Sequence, residues 1–293
     1  MFSHTCQRPT SRRVSFLSGK RRGAVDSDQL SVIGDQLSVA GVDWHERFSQ
    51  QATWTRELRA YAFDKAGLAE ARRVLEVGCG TGALLAELPA RCTVHGLDLE
   101  PARLSEARVH ARRARLTNGD AHRLPYPAQT FDLTFCHFLL LWVEHPADVL
   151  CEMRRVTRPG GFVLALAEPD YSGRVDQPKE LRPLGRWQAE SLRRQGADPD
   201  LGRRLTGLFA EAGIKVIETG SLRGSPGSST GLGRGTHPLE LEERELEWAV
   251  LEADLAGFVP ARKLQRMKKL DEEAWRRGER VLYVPTYYAW GRV

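Results

Sequence analysis

Apolar runs of strand type alternate with helical stretches along most of the chain, and the clearest such step lies at residues 74–88. Residues 74–77 are of strand type, glycines follow at alternate positions 78, 80 and 82, and residues 83–88 are good helix formers. This pattern predicts a strand, a tight turn and the start of a helix. Glycines let the backbone adopt positive φ and let a ligand approach closely, and the first N–H groups of a helix would point into the same crevice. A nucleoside-type ligand is therefore expected there.

Three kinds of glycine-rich turn could give this pattern: a phosphate loop, a dinucleotide fingerprint or a structural turn. No Gly-Lys-Ser/Thr follows the glycines, which argues against a phosphate loop. The third glycine comes one residue early for G-x-G-x-x-G, and an acid, Glu76, lies two residues before Gly78. A carboxylate at that point would repel a pyrophosphate but would attract a cationic amine.

The same alternation predicts seven strands joined by helices. Such an order indicates a parallel sheet with right-handed crossovers and a ligand at the carboxyl ends of the strands. The predicted strands are 74–77, 93–99, 115–121, 131–138, 162–167, 214–219 and 281–290, with helices at 44–67, 101–113, 146–156, 178–196, 199–212, 239–257 and 260–278.

An acidic residue at the end of the second predicted strand strengthens the nucleoside interpretation. Asp98 comes 20 residues after Gly78, where a carboxylate can accept both hydroxyl groups of a ribose. Leu99 would then pack on the adenine. This chemistry suits adenosine in any cofactor that carries it.

Five motifs in order resemble those of the class I S-adenosylmethionine (SAM) methyltransferases, in particular the small-molecule enzymes of ubiquinone and menaquinone biosynthesis. They cover residues 72–168, about a third of the chain. The motifs are Glu-x-Gly-x-Gly-x-Gly from 76, Gly-Leu-Asp-Leu from 96, Gly-Asp-Ala from 119, Phe-Asp-Leu from 131 and Arg-Pro-Gly-Gly-Phe from 158. The resemblance implies an α/β fold: a Rossmann-like, doubly wound, seven-stranded and mainly parallel sheet with helices on both faces and an inserted helical cap.

The resemblance also implies SAM as cofactor and a role for residues on several loops. An acid at Asp120 would take the adenine amino group, with the backbone N–H of Ala121 on a ring nitrogen. A helix before the first strand would cover the cofactor and offer Arg59, or failing that Arg56, to its carboxylate. His137 would face the methionine half. The full expected set is Arg59, Glu76, Gly78, Gly80, Gly82, Asp98, Leu99, Asp120, Ala121 and His137.

Methyl transfer from a sulfonium needs alignment of two reactants more than acid–base help, so no nucleophilic triad is expected. A base is required only for an acceptor that must lose a proton. His137 and Tyr171 are the candidates, with Glu144, His145 and Asp170 also within reach of the expected site. The aromatic residues Trp142, Tyr171, Trp187, Tyr287 and Tyr288 would suit an apolar small-molecule acceptor or would fill cores.

Two other functions remain compatible with these residues. An NAD-dependent reductase would share the acid at the end of the second strand but would need a G-x-G-x-x-G turn. A protein with this fold could also bind SAM or a partner chain without catalysis. The identity of the acceptor and of its accepting atom, and the oligomeric state, are left open by the sequence.

Composition is that of an ordinary globular protein, with 41% hydrophobic and 28% charged residues. Of the net charge of +5, +3 lies in the first 40 residues (six Lys/Arg against three Asp), which leaves no basic stripe for nucleic acid. No apolar run approaches the roughly 20 residues of a membrane span. Five scattered cysteines indicate reduced thiols in the cytoplasm and no metal site.

Three segments follow from these observations. Residues 1–41 are polar and lack periodicity, so we expect a disordered tail, and whether residues 1–40 belong to the working protein is left open. Residues 42–293 would form the SAM-binding domain, with its core at 72–168. Helical additions at 178–212 and 239–278 would flank a flexible, Gly/Ser-rich loop at 225–238.

Overall fold

A computed structural model describes residues 43–222 and 241–293 of the chain. The tail expected at 1–41 and the loop expected at 225–238 lie outside the described residues. Nine strands form a seven-stranded sheet of order β3-β2-β1-β4-β5-β9-β7 and a two-stranded sheet of β6 and β8. The strands are β1 Arg73–Val77, β2 Thr93–Asp98, β3 Arg115–Asn118, β4 Phe131–Cys136, β5 Thr157–Pro169, β6 Val175–Gln177, β7 Lys215–Ser221, β8 Val281–Tyr283 and β9 Thr286–Arg292.

The expected doubly wound, mainly parallel sheet is confirmed. Strands β3, β2, β1, β4 and β5 run parallel, and β9 is antiparallel to both β5 and β7. The carboxyl ends of the five parallel strands therefore meet along one edge. The helices are α1 Trp44–Trp54, α2 Arg56–Lys65, α3 Pro101–His110, α4 Pro146–Val156, α5 Arg182–Arg194, α6 Leu205–Glu211, α7 Leu241–Leu255 and α8 Ala261–Arg276.

Alternating strand residues bury the two faces of the sheet in separate cores. On β1, Leu75 packs in the core beneath α4 and α6, whereas Val74 packs in the core beneath α2 and α3. A third core, which includes Leu184 of α5 and Trp248 of α7, joins α5, α7 and α8 into a cap. Helix α6, expected among the added helices, instead packs on the sheet through Phe209.

Three local expectations were wrong. The helix after β1 is only a 3-10 turn, Leu85–Glu87, because Pro89 forces Leu88 into extended backbone. The fifth strand, predicted at 162–167, already begins at residue 157, and residues 158–161 form a bulge in its pairing with β4. The last strand is divided at residues 284–285 into β8, which pairs with β6, and β9, which enters the main sheet.

None of the helices in residues 43–222 and 241–293 has the length and apolar character needed to cross a bilayer.

Candidate functional site

The parallel strands bring most of the expected site residues to the same edge of the sheet. Glu76 lies near the end of β1, Asp98 ends β2, and His137 directly follows β4. Glu168 lies near the end of β5, beside this set. Ligands of open α/β sheets bind at this edge, and we call the region above the glycine turn, between these residues, the crevice.

The glycine turn after β1 is folded onto the end of β2. Gly78 and Cys79 donate their N–H groups to the carbonyl of Leu97 at 2.8 and 2.9 Å, and Gly80 N–H donates to Asp98 Oδ2 at 2.7 Å. All three glycines have positive φ, between 51° and 81°. The expected contribution of helix N–H groups is absent, since only a 3-10 turn follows the loop.

The three glycines pack against different parts of the protein. A Cβ on Gly78 would meet Leu139 Cδ1 at 2.6 Å, and a Cβ on Gly80 would meet Phe48 Cε2 at 2.9 Å. A Cβ on Gly82 would meet Ala111 Cβ at 3.0 Å. Gly82 therefore packs against the end of α3, Gly78 against the loop after β4, and Gly80 against α1.

Glu76 is a buried carboxyl group with an incomplete set of partners. It is 3% exposed, and its Oε2 has no hydrogen-bond partner. Burial raises the pKa of Glu76 well above its usual range, against the lowering effect of the Arg59 guanidinium. A buried acceptor oxygen without a donor is costly, so Glu76 fits a ligand that brings a donor, such as a cationic amine.

Arg59 is engaged within the protein. Its guanidinium donates to the carbonyl of Ala52, to Thr55 Oγ1 at 2.6 Å and to Glu87 Oε2 at 2.5 Å. These bonds join α1 and α2 to the 3-10 turn after β1. Arg59 thus supplies positive charge beside Glu76, and Arg56 is exposed at the surface.

His137 contacts the same junction between α1 and α2. Its Nε2 is 2.8 Å from Thr55 Oγ1, and its ring meets Phe138 edge-on at 4.7 Å. Burial, with the charge of Arg59, lowers the pKa of His137 to about 3. The imidazole is therefore neutral and weakly basic at pH 7.

Helix α1 also covers the glycine turn, through residues that the sequence did not single out. Phe48 lies over Gly80, and His45 Nδ1 is 2.9 Å from Thr81 Oγ1. The His45 ring stacks on His110 with centroids 3.4 Å apart. The sequence predicted a helix at 44–67 but not these contacts, because contacts between distant segments cannot be read from a local sequence pattern.

The ends of β2 and β3 present the residues expected to hold an adenosine. Asp98 is 6% exposed, and its two oxygens accept from Gly80 and Glu100 N–H groups. Leu99, in contrast, is 43% exposed. Asn118, which sequence reasoning missed, donates to the carbonyls of Asp98 and Leu99 and so fixes their positions.

Asp120 stands beyond β3 with an exposed side chain. Its Oδ1 accepts from the backbone and from Nδ1 of His122, at 2.9 and 2.8 Å. The side chain of Ala121 is buried in the core with Leu97. Any contact of Ala121 with a ligand would therefore be made by its backbone, and the role expected for its N–H stays a prediction.

Glu168 organises the loop that follows β4. It is fully buried and accepts backbone N–H bonds from Leu139, Leu140 and Leu141 at 3.0 to 3.3 Å. Burial raises its pKa to about 7. In the same loop Phe138 has φ 53°, an unusual conformation for an aromatic residue that is typical of functional sites.

The remaining candidate bases are poorly placed for proton transfer. Burial raises the pKa of Tyr171 to about 12. Asp170 accepts a two-pronged ion pair from Arg203, at 2.6 and 2.7 Å, and the N–H of Gly173. Glu144 and His145 have side chains 85% and 64% exposed.

The expected aromatic residues are dispersed. Trp142, Tyr171 and Tyr287 pack on one core of the sheet, Tyr288 packs on the other, and Trp187 packs in the cap. They serve these cores and do not form one apolar wall. No disulfide joins the described cysteines, which lie at positions 79, 92, 136 and 151.

With this geometry established, comparison with known proteins decides the family. A family model described as a methyltransferase domain matches residues 75–165. Those residues hold β1, β2, β3, β4 and most of β5. This segment is a class I methyltransferase domain. The resemblance seen in the five motifs is thereby confirmed.

Curated relatives and solved structures agree with this domain. The malonyl-[acyl-carrier protein] O-methyltransferase of Halorhodospira halophila is 37% identical over 127 residues, covering 41% of this chain and 43% of that protein. The demethylmenaquinone methyltransferase of Tropheryma whipplei is 37% identical over 120 residues, covering 39% and 47%. The chain thus spans less than half the length of these two relatives.

Among solved structures, a methyltransferase-like protein of Bacillus halodurans superposes on the chain with a TM-score of 0.55. The match covers 80% of this chain and 97% of that one at 16% identity. Similarity at this level establishes the α/β fold. The shared fold reaches beyond residues 75–165 and covers 80% of the chain.

Proposed function

We propose that the chain is a SAM-dependent methyltransferase that acts on a small-molecule acceptor. The observation that carries the proposal is the orphaned Oε2 of Glu76, buried beside the glycine turn. SAM carries a cationic amine on one side of its sulfonium and an adenosine on the other, and Glu76 and Asp98 offer acceptors for the amine and for the ribose hydroxyls. An NAD-type ligand would bring pyrophosphate to the same turn, where Glu76 repels it.

Residues at the ends of several strands would contact different parts of SAM. Glu76 would accept from its amine, and Arg59 would hold the local charge balance. Asp98 has lone pairs left beyond its two backbone bonds, because a carboxylate has about four acceptor positions. Those positions would take the ribose hydroxyls. Leu99 would lie on the adenine face, with Asp120 and the N–H of Ala121 at its edge.

SAM would supply a methyl group that is already electrophilic, so the protein must mainly hold the acceptor in line with it and exclude water. The loop carrying His137 and Phe138 borders the crevice and is fixed by Glu168. His137 would offer its neutral imidazole as a hydrogen-bond partner, not as a base. A residue whose pKa is about 3 removes protons poorly at pH 7.

The candidate bases near the crevice limit the kind of acceptor that could be methylated, because none of them is suited to remove a proton. Of the candidates among the described residues, His137 is too weak a base, Tyr171 keeps its proton at neutral pH, and Asp170 is held by Arg203. We propose an acceptor that is already ionised at neutral pH, such as a carboxylate, a thiolate or an ionised enol, so that no proton has to be removed. Alcohols and other weak acids would need a stronger base.

The described parts of the chain would act as a single domain, with α5, α7 and α8 as its cap. The described cysteines form no disulfide, which supports a reducing compartment, and we place the protein in the cytoplasm on that basis.

The test is turnover of SAM labelled in its methyl group against a metabolite extract. The proposal expects label in a small molecule together with an equal amount of S-adenosylhomocysteine. Binding of SAM without transfer to any component of extracts from several sources would contradict an enzymatic role.

A further inference from the structure

The cap contains a pocket apart from the glycine turn. It lies between α5, α7, α8 and the small sheet, and it encloses about 420 Å³ including its mouth. Its lining residues are Arg174, Leu184, Gln188, Arg244, Glu247, Trp248, Leu251, Asp271, Trp275, Arg280 and Leu282.

The charges in the floor of the pocket compensate each other. Arg174 forms a two-pronged ion pair with Asp176 at 2.9 and 3.0 Å, and Arg280 joins Asp176 to Asp271 at 2.8 and 2.5 Å. Asp271 also accepts from Trp248 Nε1 at 2.9 Å. Two arginines and two aspartates therefore form a closed, neutral network whose acceptors are occupied.

The acid in the wall of the pocket is also paired. Glu247 of α7 forms an ion pair with Arg47 of α1. Arg47 is itself 6% exposed and donates a second bond to Gln50. The negative charge of Glu247 is therefore balanced from outside the pocket.

Arg244 is the charged lining residue that takes no part in these ion pairs. Its guanidinium lies 5.3 Å from the ring centroid of Trp275, and its buried Nε has no hydrogen-bond partner. No ion pair of Arg244 is found among the residues that the structure describes. A buried arginine donor without a partner needs an explanation, and a guanidinium is suited to bind carboxylate or phosphate with two parallel hydrogen bonds.

The other walls of the pocket are apolar. Trp248 and Leu251 of α7 are nearly fully buried, and Leu184 of α5 is buried opposite them. Trp275 adds a second indole beside Arg244. A mainly apolar pocket with one cation that lacks a partner selects a ligand with a flat apolar body and a single acidic group.

We propose that this pocket binds a small organic anion, with its carboxylate or phosphate on Arg244 and its apolar body between Trp248, Trp275 and the leucines. None of the lining residues is among those proposed to hold SAM. Binding there does not depend on whether the chain transfers methyl groups.

Titration calorimetry on the full chain without SAM tests the proposal, with 2-naphthoate, 2-naphthyl phosphate and the neutral 2-naphthamide as probes. At least one anion should bind about tenfold or more tightly than the amide, because a charge-assisted pair is lost in the amide. The ratio of the affinities of the two anions shows whether the pocket prefers a carboxylate or a phosphate. If neither anion binds, or if the amide binds equally well, the proposal is wrong.

Matched variants locate the anion. Arg244→Gln should reduce the affinity for the preferred anion to that for the amide, Arg244→Lys should retain part of it, and Arg266→Gln, which removes the same charge from an exposed position on α8, should change nothing. Equal losses in Arg244→Gln and Arg266→Gln would contradict a specific site. Should Arg244→Gln fail to fold, Trp275→Leu must weaken all bound probes, and unchanged binding in that variant would overturn the proposal.

Discussion

The ring of Phe48 occupies the space into which a side chain on Gly80 would extend, since a Cβ built there would lie 2.9 Å from Phe48 Cε2. Phe48 belongs to α1, 32 residues before the glycine, so α1 and the turn after β1 are in direct contact. A branched or larger side chain at Gly80 would displace α1 from the turn. The glycine is thus required both by its positive φ and by its neighbour.

Gly80→Ala should lower the affinity for SAM, and Gly160→Ala is its matched control. Both glycines have positive φ, 51° and 80°, but a Cβ on Gly160 would meet nothing within 4 Å. Each substitution should cost roughly 1–2 kcal/mol of unfolding free energy because of backbone strain. Only Gly80→Ala should weaken SAM binding in titration calorimetry; an equal effect of both would mean that strain, not contact in the crevice, is responsible.

Asp98→Asn should weaken SAM binding by about 1–3 kcal/mol, the usual strength of hydrogen bonds to a charged group. Asp132→Asn is the control, since Asp132 also accepts two backbone N–H bonds, from Arg72 and Arg73, at the opposite end of the sheet. Both variants should unfold at lower denaturant concentration. Unchanged SAM affinity in Asp98→Asn would exclude Asp98 from the binding site.

Stability without ligand should fall as pH rises through neutrality, partly because of Glu168. Burial raises its pKa from 4.5 to about 7. A group whose pKa is higher in the folded state stabilises fully below its unfolded pKa and loses that contribution as pH rises through the folded value. The loss for Glu168 should amount to roughly 3 kcal/mol between pH 4.5 and 8.

Denaturant unfolding at several pH values checks this expectation. Glu168→Gln should flatten the pH dependence, whereas Glu144→Gln, at a side chain 85% exposed, should leave it unchanged. If the free energy of unfolding varied with pH equally in wild type and in Glu168→Gln, Glu168 would not titrate in this range.

His137 should remain neutral from pH 5 to 8. Its pKa is lowered to about 3 by burial and by Arg59, so its imidazole resonances should not shift in NMR spectra over that range. A midpoint for His137 near 6.5 would restore it as a candidate base.

The sequence predicted the sheet and the edge that carries the site because both follow from local patterns. Apolar runs mark strands, and Asp98 and the glycines stand at strand ends, where parallel topology gathers them. The helix after β1 was wrongly predicted because residues 83–88 favour a helix by composition, while Pro89 ends it after one turn. The division between β8 and β9 was missed because the apolar pattern continues across it.

Partners across the fold were beyond the reach of sequence reasoning. Asp170 was expected near the acceptor as a possible base, but Arg203, 33 residues away, pairs with it. Phe48, Thr55 and Asn118 were missed for the same reason, since their roles come from contacts with distant segments. The fold was accessible from periodicity, whereas the electrostatics of the site required coordinates.

Titration of SAM into wild type and Glu76→Gln tests the central claim most directly. The variant keeps the shape of Glu76 and removes its charge, so it should bind SAM at least about tenfold more weakly. The variant should also be at least as stable as wild type, because the substitution removes a buried acid that lacks a full set of hydrogen-bond partners. Equal affinity in both proteins, or binding of NADH in place of SAM, would contradict the account.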